Sequence, residues 1–106
     1  MNIESLEKLL AQGTDNPLLR FTLANLYLKE KRPEQALGHI EQALEQNPKH
    51  SASWKSYGKV LASLGREMEA MEAYIQGIEI AEFLGDVQAA KEMQLFLRRL
   101  MGKSKE

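Results

Sequence analysis

The residues able to do chemistry are few and badly placed for it. His39 and His50 are the two histidines of the chain, one inside a helical pattern and the other in a loop between two patterns. Glu41, the acid nearest to His39, falls on a different helical face. A metal site draws several His, Cys, Asp or Glu ligands from close helical or hairpin spacing. His39 therefore reads as part of a solvated helix face, and no metal is implied. Carboxylates cluster at Glu67, Glu69 and Glu72 and again at Glu79 and Glu82. Acid–base catalysis needs such groups in a dry cleft with their pKa values pushed apart. Glu67 and Glu69 instead open a helical stretch, where acids suit the positive end of the dipole. The glycines form no phosphate loop: Gly13, Gly65 and Gly85 each follow a helical stretch, and Gly58 and Gly77 sit on packed faces. Gly38 occupies a place where a better helix former is expected. No Ser or Thr has a histidine and an acid arranged around it. The expectation is a protein that is not an enzyme and needs no cofactor.

Two groups of cations remain. Arg98, Arg99, Lys103 and Lys105, with Lys91 one face away, end the chain and read as a solvated helix terminus diluted by Glu92 and Glu106. Nucleic-acid binding would need aromatic or further basic support, and none is expected. Lys55 and Lys59 form a second basic pair, one helical turn apart.

Composition bounds the rest. A chain of 106 residues builds one modest core. Hydrophobic residues at 43% and charged residues at 27% describe a folded protein rather than a disordered one. The formal net charge of −1 gives no global field toward nucleic acid or anionic lipid. There is no cysteine, in keeping with a reducing compartment. Met1-Asn2-Ile3-Glu4-Ser5 lacks the basic start and apolar run of a signal peptide, and no apolar run is long enough to span a bilayer. A cytoplasmic protein is expected.

The elements that hold these residues are helices. Trp54, Tyr57, Gly58, Leu61 and Leu64 recur at spacings of three and four, then Gly65-Arg66 punctuates. Ala70, Tyr74, Gly77, Ile78 and Ala81 draw the face of the next helix. Gly58 and Ala70 are small enough to let two helix backbones approach. Shifted back by thirty-four residues, Tyr57 falls on Leu23, Gly58 on Ala24, Leu61 on Tyr27, Ala70 on Ala36, Tyr74 on Ile40 and Gly77 on Ala43. Size class is kept at the packed sites, and Pro48 closes the earlier copy. This period and pattern resemble the tetratricopeptide repeat.

The fold expected is an all-α antiparallel stack of about six helices. It comprises a half-repeat at 3–12, repeats at 17–50 and 51–84, a closing helix at 86–101 and a short tail at 102–106. Asn2, Asn16 and Ser51 read as helix caps, with Pro17 and Pro33 opening helices. The strict period fails in the closing helix, where Trp54, Tyr57 and Gly58 would fall on Gln88, Lys91 and Glu92. That helix covers the exposed end of the last repeat, as solenoids require. Met93, Phe96, Leu97, Leu100 and Met101 give it more apolar surface than one neighbour covers.

The resemblance also implies where function lies. In this family the first helix of each repeat lines a concave surface that takes extended peptides or partner helices. Here that surface carries Phe21, Asn25 and Leu28 in the earlier repeat and Lys55 and Lys59 in the later one. Phe21 and Leu28 have no evident core duty and would form an apolar floor. Asn25 would offer amide hydrogen bonds to a peptide backbone, and the lysines would select acidic side chains or a terminal carboxylate. Some relatives clamp the carboxylate tails of chaperones with a lysine one turn before an asparagine, a second asparagine, and a basic pair. Phe21, Asn25, Ser56, Asp86 and Ala90 stand at those places, so only the first asparagine survives. The expected partner is another protein or peptide with acidic character. A structural or self-associating subunit, acting through the closing helix as a homo-oligomer, is the second reading.

Overall fold

The computed structural model describes residues 2–104 and shows six helices among them, with no strand. They are α1 (Ile3–Ala11), α2 (Pro17–Lys29), α3 (Pro33–Gln46), α4 (Ser51–Ser63), α5 (Glu67–Leu84) and α6 (Val87–Ser104). Local chemistry accounts for most boundaries. The side chains of Asn2 and Asn16 accept from the backbone N–H of Ser5 and Leu19, at 2.8 and 2.9 Å. Asp86 does the same for Ala89 at 3.2 Å, so three helices begin on the same cap. Ser51 does not cap α4. It is the first residue of that helix, and its hydroxyl donates instead to the Asp86 carboxylate at 2.8 Å.

Helix ends follow one pattern. Gly13, Gly65 and Gly85 adopt positive φ, and so does Lys31, at the place of Gly65 one repeat earlier. The following N–H groups reach back to Leu9, Tyr27, Leu61 and Ala81, satisfying carbonyls the helix leaves open. The last helix departs from expectation: α6 runs on through Gly102 and Lys103, so the tail begins later, and Lys105 and Glu106 lie outside the described residues.

Each helix packs on its sequence neighbours, and α2, α4 and α6 also pack side by side. No such contact joins α3 to α5 among the described residues. The stack is therefore two layers, with α2, α4 and α6 drawn together on the inner, concave side and α3 and α5 spread on the outer side. Two clusters fill it. One holds Leu19, Leu23, Ala24, Tyr27, Ala36 and Ile40, and the other Leu61, Ala70, Tyr74, Ala81 and Met93. Leu37 and Tyr57 pack against both and join the halves into one core. Burying a side chain such as Leu23 or Ile40, neither exposed at all, contributes about 2–3 kcal/mol.

The close approaches rest on glycine. A Cβ at Gly58 would collide with the Tyr74 ring, and one at Gly77 would lie 2.5 Å from the Met93 sulfur and 2.7 Å from Trp54 Cβ. Gly38 is different, since an added Cβ there meets nothing within 4 Å. Its exposed mid-helix glycine only costs backbone entropy, so Gly38→Ala is expected to raise stability by about 0.5–1 kcal/mol in urea unfolding.

His39 also departs from expectation. It is not on a solvated face but half-buried in a polar network joining α1, α2 and α3. Its ring stacks on Tyr27 with centroids 5.5 Å apart. Nδ1 accepts from Arg20 at 3.2 Å, which leaves Nε2 to carry the proton toward Glu7 at 3.5 Å. Tyr27 donates to the other Glu7 oxygen at 2.7 Å, and Arg20 also binds Asp15. Burial holds the His39 pKa below its usual value, and Glu7 opposes this only in part. The unfolded chain thus takes up a proton at His39 before the folded chain does. Stability from this group is complete above the ordinary pKa and is lost as pH falls through about 6.5 toward the folded value. Lowering pH from about 7.5 to 5.5 should reduce the urea midpoint, and His39→Gln should shrink that loss.

Candidate functional site

The concave layer differs from its sequence image in two respects. The first is register. The caps of α2, α4 and α6 are Asn16, His50 and Asp86, so the second interval is two residues longer than the first. Helix α5 is four residues longer than α3, 18 against 14, and the connection after it, 85–86, is two residues shorter than 47–50, which leaves the net two. The repeat is thus not lost in α6 but resumes late. Met93 takes the place of Leu23 and Tyr57, Gln94 that of Ala24 and Gly58, and Leu97 that of Tyr27 and Leu61. Of the five apolar residues expected to leave surplus surface on α6, Met93 and Leu100 are buried, Phe96 and Leu97 pack on the second cluster, and Met101 is exposed; the apolar surface that α6 does leave includes Val87 and Leu95.

The second is charge. Helices α2, α4 and α6 carry Arg20, Lys29, Lys55, Lys59, Lys91, Arg98, Arg99 and Lys103 against a single carboxylate, Glu92. Helices α3 and α5 carry Glu34, Glu41, Glu45, Glu67, Glu69, Glu72, Glu79 and Glu82 and no Lys or Arg. A net charge of −1 conceals a molecule with a basic inner layer and an acidic outer layer. Summed composition cannot show this, because the two layers cancel.

The five residues expected to line the groove are differently occupied. Phe21 and Leu28 are partly buried and pack against the first cluster, so both have core duty after all. Phe21 also meets the His50 ring edge-on, centroids 5.0 Å apart. Asn25 donates to the Phe21 carbonyl at 2.9 Å, and its oxygen accepts from Ser56 at 2.9 Å. That amide first ties α2 to α4. Lys55 reaches Glu92 on α6 at 3.1 Å. Lys59 remains exposed and lies over the Phe96 ring, 5.1 Å from its centroid, with the Arg99 guanidinium 5.9 Å away. Two cations thus flank one aromatic ring where α4 meets α6. Neither Arg99 nor Phe96 stands out at this surface in the sequence: the two-residue delay in the caps sets Arg99 at the place of Lys29 and Ser63, but Phe96 at that of Val60, which is buried.

Among the described residues no group of three or more His, Cys, Asp or Glu could hold a metal ion. No helix of the described residues is long and apolar enough to cross a membrane.

Comparison with known proteins agrees with this geometry. Residues 3–56 match the tetratricopeptide repeat family. The chain is also 48% identical over 100 residues to a TPR repeat-containing protein of Pseudomonas aeruginosa, covering 94% of this chain and 95% of that one. The chain belongs to the tetratricopeptide repeat family. A solution structure from Bordetella parapertussis superimposes with a TM-score of 0.85 at 44% identity, over 95% of this repeat protein and 88% of the other. The second TPR domain of human RPAP3, solved with the HSP70 peptide SGPTIEEVD, shares the fold at a TM-score of 0.71 and 22% identity. That match covers 87% of this chain and 78% of the RPAP3 chain. Tetratricopeptide repeat domains are protein-interaction modules and are generally non-catalytic.

Proposed function

We propose that this repeat protein holds an acidic segment of another protein along its concave layer. The observation that carries the reading is the sorting of charge: the inner layer is basic although the chain is not. Lys59 and Arg99, set around Phe96 and without an ion pair among the described residues, are the cations placed where α4 meets α6 to receive a carboxylate. Lys55 would have to exchange Glu92 for the ligand, which makes it a weaker contact. Phe21 and Leu28 present their remaining exposed edges as an apolar floor, and Asn25 keeps one amide hydrogen for a peptide carbonyl.

A chaperone-tail clamp is not the preferred form. The delayed register moves the basic pair of that clamp onto Gln88 and Glu92, one neutral and one acidic. The RPAP3 domain holds an HSP70 peptide, but at its level of identity only the fold carries over. Nucleic acid is disfavoured because base stacking needs free aromatic faces, and the Phe96 ring already has cations against it.

Selection of peptides from a random display library tests this directly. The result expected is a consensus rich in Asp and Glu, with affinity that falls as salt rises. An apolar consensus indifferent to salt would sink the reading.

A further inference from the structure

Among the described residues α6 packs on α4 and α5 alone. The edge built from α5 and α6 carries no further helix of the described residues. We propose that this edge joins two copies of the chain about a two-fold axis parallel to the helices, with α5 of each copy lying antiparallel against α6 of the other.

Seven-residue stripes run along this edge, the spacing at which helices pack into left-handed bundles. On α5 the stripe is Met68, Ile75 and Glu82, and on α6 it is Val87, Gln94 and Met101. Met68 is 71% exposed, Ile75 54%, Val87 60% and Met101 47%, an unusual concentration of apolar surface along one edge. Glu82, Val87 and Gln94 line one shallow depression, so the two stripes meet beside the α5–α6 turn.

Charge selects the occupant and the axis. By helical spacing Glu72 and Glu79 flank the α5 stripe on its outward side, where they also line depressions with Trp54 and Tyr57 and with Lys49, and Lys91 and Arg98 flank the α6 stripe. Among the described residues none of these four has an ion-pair partner. The hairpin register is given by Glu67 beside Lys103, at 3.7 Å, and Tyr74 beside Phe96, at 5.7 Å between centroids. By that register Glu72 lies level with Arg98, Glu79 with Lys91, and Met68 with Met101. A two-fold axis parallel to the helices places each residue opposite the copy of the one level with it. Glu72 then faces Arg98 of the second copy, Glu79 faces its Lys91, and the methionines meet. An axis perpendicular to the helices would instead lay α5 on α5, carboxylates against carboxylates. The edge is complementary to itself in one arrangement only.

A further repeat helix is a poorer occupant. The hairpin of α4 and α5 closes because Gly58 lets the Tyr74 ring in, and Gln94 fills the equivalent place on α6. No outer helix can nest on α6 as closely as α5 nests on α4.

Sedimentation equilibrium over a wide concentration range tests the proposal without reference to the groove ligand. The wild-type chain should show a monomer–dimer equilibrium that weakens with salt. Glu72→Lys with Glu79→Lys, and separately Lys91→Glu with Arg98→Glu, should each raise the dissociation constant at least about ten-fold. An equimolar mixture of the two variants should restore the dimer, because both contacts are then again of opposite sign. Circular dichroism checks that each variant is folded. If one is not, its counterpart against wild type carries the same test through loss of the dimer. A wild-type mass that stays at the monomer value throughout overturns the proposal. So does either folded variant dimerising alone as tightly as wild type, or a folded mixture that remains monomeric.

Discussion

Gly58→Ala is expected to destabilise the protein by about 2 kcal/mol, although alanine is the better helix former. In an open helix the exchange would gain up to about 1 kcal/mol. Here the new methyl falls on the Tyr74 ring, which is itself nearly fully buried and packed against Phe96. Neither ring can move outward without opening the second cluster, and overpacking of this kind costs about 1–3 kcal/mol before the helix gain is set against it. Gly77→Ala should cost less than its two close contacts suggest, since the Met93 thioether can swing aside, while Trp54 Cβ at 2.7 Å cannot. Gly38→Ala is the internal control with the opposite sign. Urea midpoints of the three variants, measured together, separate close packing from helix propensity. If Gly58→Ala were as stable as Gly38→Ala, the tight α4–α5 approach would be wrong.

How much of this could be read from the chain depended on the range over which each signal acts. Asn2 and Asn16 announce helix starts because a cap is settled within four residues. Gly58 and Gly77 announce close contacts because a mid-helix glycine on an apolar stripe has few other uses. Ser51 misled, since its hydroxyl is claimed by Asp86, thirty-five positions away, and not by its own helix. His39 misled for the same reason: Glu7, Tyr27 and Arg20 reach it across three helices, and no local pattern records that. The loss of period after Leu84 comes from a net addition of two residues, four in α5 less two in the connection that follows it. A comparison at a fixed interval cannot see such an addition, but the recurring cap can. The charge sorting was visible in principle, yet only after each helix had been assigned to a layer.

The same limit applies to the groove. Phe21, Asn25, Leu28, Lys55 and Lys59 fall on the concave surface by repeat position, and position alone says nothing of their prior engagements. Asn25 with Ser56 and Lys55 with Glu92 spend their polar groups holding neighbouring inner helices together. Lys59 and Arg99 spend theirs on one aromatic face, a contact of about 0.5–1 kcal/mol at an exposed site. A carboxylate ligand can replace or supplement that contact with little loss.

The largest effect on binding should follow from reversing those two cations. Lys59→Glu with Arg99→Glu replaces two attractive charges by two repulsive ones at the junction of α4 and α6. For a ligand with at least one carboxylate there, affinity should fall about 100-fold, equivalent to about 2.7 kcal/mol. Both side chains lie outside the core clusters, so the urea midpoint should barely move. Lys103→Glu is the matched control, because Lys103 sits in the last turn of α6 beside Glu67 and away from that ring.

The decisive measurement is a calorimetric titration of the selected acidic peptide into wild type, the Lys59→Glu/Arg99→Glu variant and the Lys103→Glu control, all at one salt concentration. Binding retained by wild type and the control but lost from the double variant is the result the proposal predicts. Equal affinity in all three proteins would contradict it and remove the concave layer as the binding surface.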